Sequence, residues 1–293
     1  FAATVAGSNR TITSYNWNLG DGSTPSGADK AVVTNTYGPD WYDVELTVNN
    51  AIGESATVTN LLYIKVAPAE AFVSTNGASH TRPYDTWGKA ATNLQAAVDV
   101  AWFDGVSGTV VRVADGTYNI TGAAIAIGQG ITVRSENGPD FTTVKRTSGR
   151  DRVFRVEHAN AFLTGFTIRG GNTPWPVVGA GVFLSGGTVA NCVLRANATD
   201  IYGSGIYVTG GLVSSCVVST NTVTSNYGCG SGVLMTGGLV QNCIIVSNAS
   251  YAGFANNYGG SVRITGGTLR NCLVIGNCHN EEGGGIGVLG GTV

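Results

Sequence analysis

From Gly186 onward one local pattern recurs at unequal intervals, and it limits the fold more than any other feature of the chain. Glycine pairs stand at 186–187, 210–211, 237–238, 266–267 and 290–291, in steps of 24, 27, 29 and 24 residues. Five residues after the second glycine of each of the first four pairs comes a cysteine: Cys192, Cys216, Cys243 and Cys272. Five further on comes an asparagine: Asn197, Asn221, Asn248 and Asn277. Fixed local offsets with variable steps mean constant short strands joined by variable loops. The strand before each pair alternates. Val182 and Leu184, Ile206 and Val208, Val233 and Met235, Val262 and Ile264, and Ile286 and Val288 are expected to point inward. Phe183, Tyr207, Leu234, Arg263 and Gly287 between them are expected to point out. Units this short cannot bury a face alone and must stack. The spacing predicts a parallel β-helix with strands about 4.8 Å apart.

That geometry assigns a structural ladder. An asparagine at one turn of every coil can bond its own backbone and the coils above and below. The stacked cysteines act as small buried hydrophobes. At about 4.8 Å, parallel side chains are too far apart for disulfide geometry, so four free thiols are expected. A linear ladder supplies no tetrahedral zinc site. Cys229 and Cys278 fall in loops, and a disulfide between them stays open.

Composition narrows the class. The chain has 293 residues, 44 of them glycine, with only 12% charged and a formal net charge of −2. Typical soluble domains carry about 25% charged residues. Low charge and much glycine suit a β-protein rich in tight turns and give no basic surface for nucleic acid. No apolar run approaches the roughly 18 residues of a membrane helix, and no signal peptide is visible. The abrupt start at Phe1 leads to the expectation that both ends are cut from a longer polypeptide.

Residues 1–67 form the first expected domain. Tyr42–Val48 alternates Val44, Leu46 and Val48 with Asp43, Glu45 and Thr47, the period of a half-buried strand. Leu61–Val66 is a second strand candidate, and Gly20-Asp21-Gly22 is a turn. The stretch Ser14-Tyr15-Asn16-Trp17-Asn18-Leu19-Gly20-Asp21-Gly22, with Thr36-Tyr37 and Tyr42–Val48, resembles a PKD domain. Leu19 stands where that family usually has phenylalanine. The resemblance implies an immunoglobulin-like β-sandwich, here lacking its first strand, and an extracellular spacer or interaction module. Trp17 is read as core and Asp21 as a turn residue rather than a calcium ligand.

Ala67-Pro68-Ala69 is a short linker, and residues 70–293 are the expected β-helix domain, cut short at its C-terminus. Thr92-Asn93-Leu94-Gln95 fits a capping box. Leu94, Ala97, Val98 and Ala101 follow at helical spacing, which predicts an N-terminal capping helix over Leu94–Ala101. Leu94–Val98, Val113–Tyr118, Ile131–Gly138 and Leu163–Ile168 resemble the opening of bacterial pectate-lyase-superfamily β-helix proteins. Phe166 takes the register of the later cysteines. The repeats also resemble those of chlamydial polymorphic outer-membrane proteins, with Leu194, Val218, Ile245 and Val274 replacing their phenylalanine. The superfamily resemblance implies a right-handed parallel β-helix, a fold that hosts lyases, hydrolases, adhesins and inert spacers, so it implies no single activity.

The chemistry is sparse. Glycoside hydrolysis needs two placed carboxylates, yet from Gly171 to Val293 the acidic residues are Asp200, Glu281 and Glu282. A lyase base would be arginine or lysine. That stretch has no lysine, and its arginines are Arg195, Arg263 and Arg270. The charge-dense run of Lys145, Arg146, Arg150, Asp151, Arg152, Arg155, Glu157 and His158 is read as a solvated loop and strand edge. No catalytic residue, metal or cofactor is assigned, and no motif supports calcium.

Aromatics are the binding candidates. Trp175, Tyr202, Tyr227 and Tyr258 precede successive glycine turns, and Phe183 and Tyr207 should lie exposed on adjacent coils. The leading expectation is a secreted or cell-surface bacterial structural or adhesive segment with no catalytic site of its own, and carbohydrate is its candidate ligand. A polysaccharide lyase or glycoside hydrolase is one rival, and a subunit of a self-assembling surface filament is another. The partners expected are a polysaccharide, another surface protein or a second copy. Nucleic acid is not among them, nor is a transmembrane segment.

Overall fold

The computed structural model describes residues 1–3, 11–77, 79–102, 104–225, 228–251, 260–279 and 284–293. They divide into two compact units, Phe1–Pro68 and Ala69–Val293. Among the described residues, all regular structure is β apart from one short α-helix and one 3₁₀ turn.

The first unit is an antiparallel sheet of β1 (Ile12–Asn18), β2 (Ser26–Gly27), β3 (Asp40–Asn50) and β4 (Ser55–Val66), in the order β2-β1-β3-β4. Trp17, Leu19, Val33 and Val44 form its core, with Phe1, Tyr37, Leu46 and Ile64 packed around them. Trp17 is buried because its one polar atom is satisfied: Nε1–H donates to the Lys30 carbonyl at 2.8 Å. The Asp21 carboxylate accepts from Asn35 Nδ2 at 2.7 Å and Ser23 N at 2.9 Å. Those hydrogen bonds, Asn35 first, hold its carboxyl below the usual carboxylate range.

The second unit is a parallel β-solenoid of about six turns. Each coil visits up to four ladders, and each repeat residue marks a corner. Strands such as Val182–Leu184 and Ile206–Val208 build the first ladder. The glycine pair then turns the chain into the second, which includes Thr188–Ala190 and Leu212–Ser214. In two coils the strand runs on through this corner, so Val233–Gln241 and Val262–Arg270 each serve both ladders, with the register shifting around Thr236. The cysteine sits at the corner into the third ladder (Val193–Arg195, Val217–Ser219) and the asparagine at the corner into the fourth (Ala198–Thr199, Thr222–Val223). Gly211 shows why the first corner needs glycine: its φ is +77°, and a Cβ there would lie 2.4 Å from the Gly187 carbonyl oxygen.

The other two corners use residues other than glycine in the left-handed region, except before Asn277, where Gly276 takes φ of +62°. Asn191, Ser215, Asn242 and Asn271 precede the cysteines with φ of +50° to +56°. Ala196, Thr220 and Ser247 precede three of the asparagines with φ of +51° to +56°. The asparagines form a hydrogen-bonded column. Asn197 N and Nδ2 donate to Asn221 Oδ1 at 3.1 and 3.0 Å, and Asn221 N and Nδ2 donate to Asn248 Oδ1 at 3.0 and 2.9 Å. Asn248 treats Asn277 likewise. Each cysteine Sγ bonds the carbonyl two residues before it, at 3.1–3.3 Å. None of the six cysteines forms a disulfide with another, and Cys229 and Cys278 do not pair.

Val182, Leu184, Ile206, Val208, Val233, Met235, Val262 and Ile264 are wholly buried. Burying each such side chain is worth about 1.5–3 kcal/mol. Ile286 and Val288 depart from expectation at 40% and 51% exposed, because their strand pairs on one side only, with Val262–Arg270. Leu234 departs the other way. It points outward yet is only 7% exposed.

Helix α1 spans Leu94–Val100 and packs Leu94, Ala97, Val98 and Val100 against strands Glu70–Val73, Val110–Val113 and Ile125–Ile127. The expected capping box does not form. Asn93, not Thr92, is the N-cap, its Oδ1 accepting from Gln95 N and Ala96 N. The Gln95 side chain turns away, with Nε2 bonding Asp99 and Oε1 accepting from Ala126 N at 2.8 Å. Asn93 takes the cap because it stands directly before the first helical residue, where its Oδ1 reaches the first free amides. Among the described residues, no helix is long and apolar enough to cross a membrane.

Candidate functional site

The first ladder places one residue per coil on its outer face. Arg155, Phe183, Tyr207, Leu234, Arg263 and Gly287 occupy successive rungs in a single register. The row is ordered by its own contacts. The Phe183 and Tyr207 rings are tilted, with centroids 5.6 Å apart. The Arg152 guanidinium lies 5.0 Å from the Phe183 centroid and donates to the Val178 carbonyl at 2.8 Å. Burial lowers the Arg152 pKa. Stacking of a partly desolvated guanidinium on an aromatic face is worth about 1 kcal/mol or more.

At the other end of the row, Arg263 lies 5.7 Å from the Tyr202 ring and donates to Cys229 Sγ at 2.8 Å. Among the described residues neither Arg152 nor Arg263 has a carboxylate within salt-bridge distance. Arg155 is engaged by Glu157 at 2.6 Å. Leu234 is shut off by close turns: a Cβ on Gly203 would lie 3.3 Å from Leu234 Cβ and 3.2 Å from Tyr207 Cβ. Hence Phe183, Tyr207 and Arg263 stay half-buried while Leu234 is closed over.

The loop beside the row presents Trp175, 72% exposed. Asp200 pins this loop. It accepts from Trp175 N at 3.2 Å, Arg150 Nη2 at 2.6 Å and Thr224 Oγ1 at 3.3 Å. Burial works against its ionisation, but Arg150 and these hydrogen bonds prevail and lower its pKa. Tyr227 and Tyr258 lie outside the described residues, as do Glu281 and Glu282.

The charge-dense run is not uniformly solvated. Arg146 is only 4% exposed, with Nη1 donating to the Gly122 carbonyl at 2.7 Å and Nη2 to the Arg152 carbonyl at 2.6 Å. Arg152 and Arg155 join the aromatic row, while Arg150 holds Asp200. Sequence reasoning missed these arginines because adjacent charges look alike until the register sorts them. The signal available was position: Arg155 sits one coil before Phe183 in the alternating pattern. Among the described residues, no group of three or more His, Cys, Asp or Glu side chains is placed to hold a metal.

Residues 1–66 match the family described as the PKD domain. Among solved structures, a pectin methylesterase from carrot is similar over 72% of this chain, at 14% identity and a TM-score of 0.43. The chain spans 65% of the length of that esterase. No curated protein matches the chain.

Proposed function

We propose that this chain is an extracellular structural and adhesive segment with no catalytic site of its own, whose solenoid holds a polysaccharide along its outer row. The observation that carries the reading is the in-register sequence of Arg155, Phe183 and Tyr207, with Arg152 stacked on Phe183. Rungs about 4.8 Å apart suit an extended ligand better than a compact one. Aromatic faces offer packing to sugar C–H groups, and guanidinium forks donate to hydroxyl or carboxylate oxygens. The PKD-domain match supports an extracellular setting. In this reading the coil is right-handed, as parallel crossovers almost always are, and α1 covers its first end. The asparagine and cysteine columns are scaffold.

The test is a glycan array read with the parent chain and with Phe183→Ser/Tyr207→Ser. Binding to at least one polysaccharide is expected, with a loss of about tenfold or more in the double variant. Unchanged binding in a variant with intact circular dichroism removes this face. A parent that binds no glycan refutes the adhesive part and leaves a spacer.

A further inference from the structure

A second region of interest lies at the C-terminal ends of three strands in the first coils. Strands Glu70–Val73, Val110–Val113 and Thr132–Ser135 are neighbours in parallel register. The residues leaving their C-terminal ends therefore stack on successive rungs. They line a shallow depression of about 440 Å³ whose floor and walls include Ser74, Asn76, Asp115, Glu136, Asn137 and one aromatic, Trp87.

Trp87 is held in place while 40% of it remains exposed. It begins the 3₁₀ turn Trp87–Lys89. Ser79 N and Oγ both donate to the Gly88 carbonyl, at 3.2 and 3.0 Å, and Lys89 pairs with Asp85 at 2.8 Å. Phe72 meets the ring edge-on, with centroids 4.6 Å apart, and the Arg112 guanidinium lies 5.8 Å from it. A large apolar ring fixed on these sides and open to solvent on the rest loses little entropy when a ligand packs on it.

The polar groups are equally ordered. Asn137 Nδ2 donates to both Asp115 oxygens at 3.1 and 3.0 Å. Glu136 is gripped by Arg112 through Nε at 3.0 Å and Nη2 at 2.5 Å, with Arg134 at 3.3 Å. The Arg112 hydrogen bond, opposed by burial, lowers the Glu136 pKa. Glu136 is thus neutralised by arginine, whereas Asp115 has no ion pair among the described residues.

We propose that this depression is a binding subsite for a neutral sugar, with Trp87 as the stacking platform and Asp115, Asn137 and Asn76 as the hydroxyl-reading groups. Planar carboxylate and amide side chains offer paired acceptors and donors that match adjacent sugar hydroxyls. An aromatic face takes the ring's C–H side. The uncompensated charge on Asp115 repels a uronate carboxylate, so acidic sugars are selected against. This subsite does not depend on the outer row of Phe183 and Tyr207, and either can fail alone.

The experiment is isothermal titration calorimetry of the full chain with cellohexaose, xylohexaose and mannohexaose against hexagalacturonate. The expected result is binding of at least one neutral hexasaccharide, tighter than hexagalacturonate. Trp87→Ala should weaken it about tenfold or more and Trp87→Phe should keep it within about threefold, each also measured in a Phe183→Ser/Tyr207→Ser background so that the outer row does not contribute. Should Trp87→Ala fail to fold, Asp115→Arg is a surface exchange that should shift preference toward hexagalacturonate. The proposal is overturned if no neutral hexasaccharide binds, if Trp87→Ala or Asp115→Arg behaves as the parent does, or if hexagalacturonate binds the parent more tightly.

Discussion

Replacing Asn221 with alanine removes the middle of the asparagine column. Asn221 is fully buried. Its Oδ1 accepts from Asn197 N and Asn197 Nδ2, and its Nδ2 donates to Leu194 O and Asn248 Oδ1, each at 2.9–3.1 Å. Asn197 Nδ2 keeps a bond to Ile168 O, and Asn248 Oδ1 keeps Asn221 N. The Asn197 amide and one Leu194 acceptor site are stripped. At about 1–3 kcal/mol for each buried group left unsatisfied, the cost is about 2–6 kcal/mol. Guanidinium denaturation followed by far-UV circular dichroism should show this loss in the solenoid transition. Ser219→Ala, half-buried in the same coil, should shift it by less than about 0.5 kcal/mol. Asn221→Asp adds a signed check. Burial raises the folded pKa of the new acid above its unfolded value of about 3.9. The neutral acid's stabilisation is complete below that value and is lost as pH rises through the folded pKa. The aspartate variant should therefore be less impaired at pH 4 than at pH 7. A loss under about 1 kcal/mol in Asn221→Ala would refute the reasoning, because it would mean the column carries no net stabilisation.

Three further outcomes are expected. Arg146→Met strips a guanidinium from the Gly122, Ser148 and Arg152 carbonyls, so it should lose about 3 kcal/mol and speed trypsin cleavage at Arg150 and Arg152, read by mass spectrometry. In native thiol titration at pH 8, Cys278 should react first. Cys272 should follow slowly, its pKa raised mainly by its hydrogen bond with Cys243, and Cys192, Cys216, Cys229 and Cys243 should react only on unfolding. The hydrogen bond with Cys216 pushes Cys243 up to about 12, which adds to its protection. Burial pushes Tyr118 up to about 12, and its hydroxyl donates to Ala114 O at 2.8 Å. Its stabilisation is full below the unfolded value of about 10 and lost as pH rises through 12, so Tyr118→Phe should flatten this part of the alkaline unfolding curve.

The solenoid was legible because its repeat is a repeat of backbone geometry. The glycine pairs, Cys192 and Asn197 each mark a corner, so offsets in sequence translate into offsets in space. The left-handed residues at Asn191, Ala196 and Thr220 were not legible, since nothing but the closed corner makes asparagine, alanine and threonine adopt positive φ. The outer row was read correctly as to which residues share a face, but burial was not. Leu234 is hidden by turns whose approach depends on Gly203, a contact between coils. The charge-dense run was opaque for the same reason. Arg146, Arg152 and Arg155 differ in fate only through their register against the neighbouring coils. The Trp87 depression draws on three separate strand ends, so no local motif announces it.

The central claim, adhesion without chemistry, is tested most directly in one incubation of the chain with a panel of insoluble polysaccharides that includes pectin and alginate. Retention on the pellet, absorbance at 235 nm and reducing ends are measured together. The account predicts retention on at least one polysaccharide, reduced in Phe183→Ser/Tyr207→Ser, with flat absorbance and no new reducing ends. Release of unsaturated or reducing sugars at a rate proportional to chain concentration would contradict it.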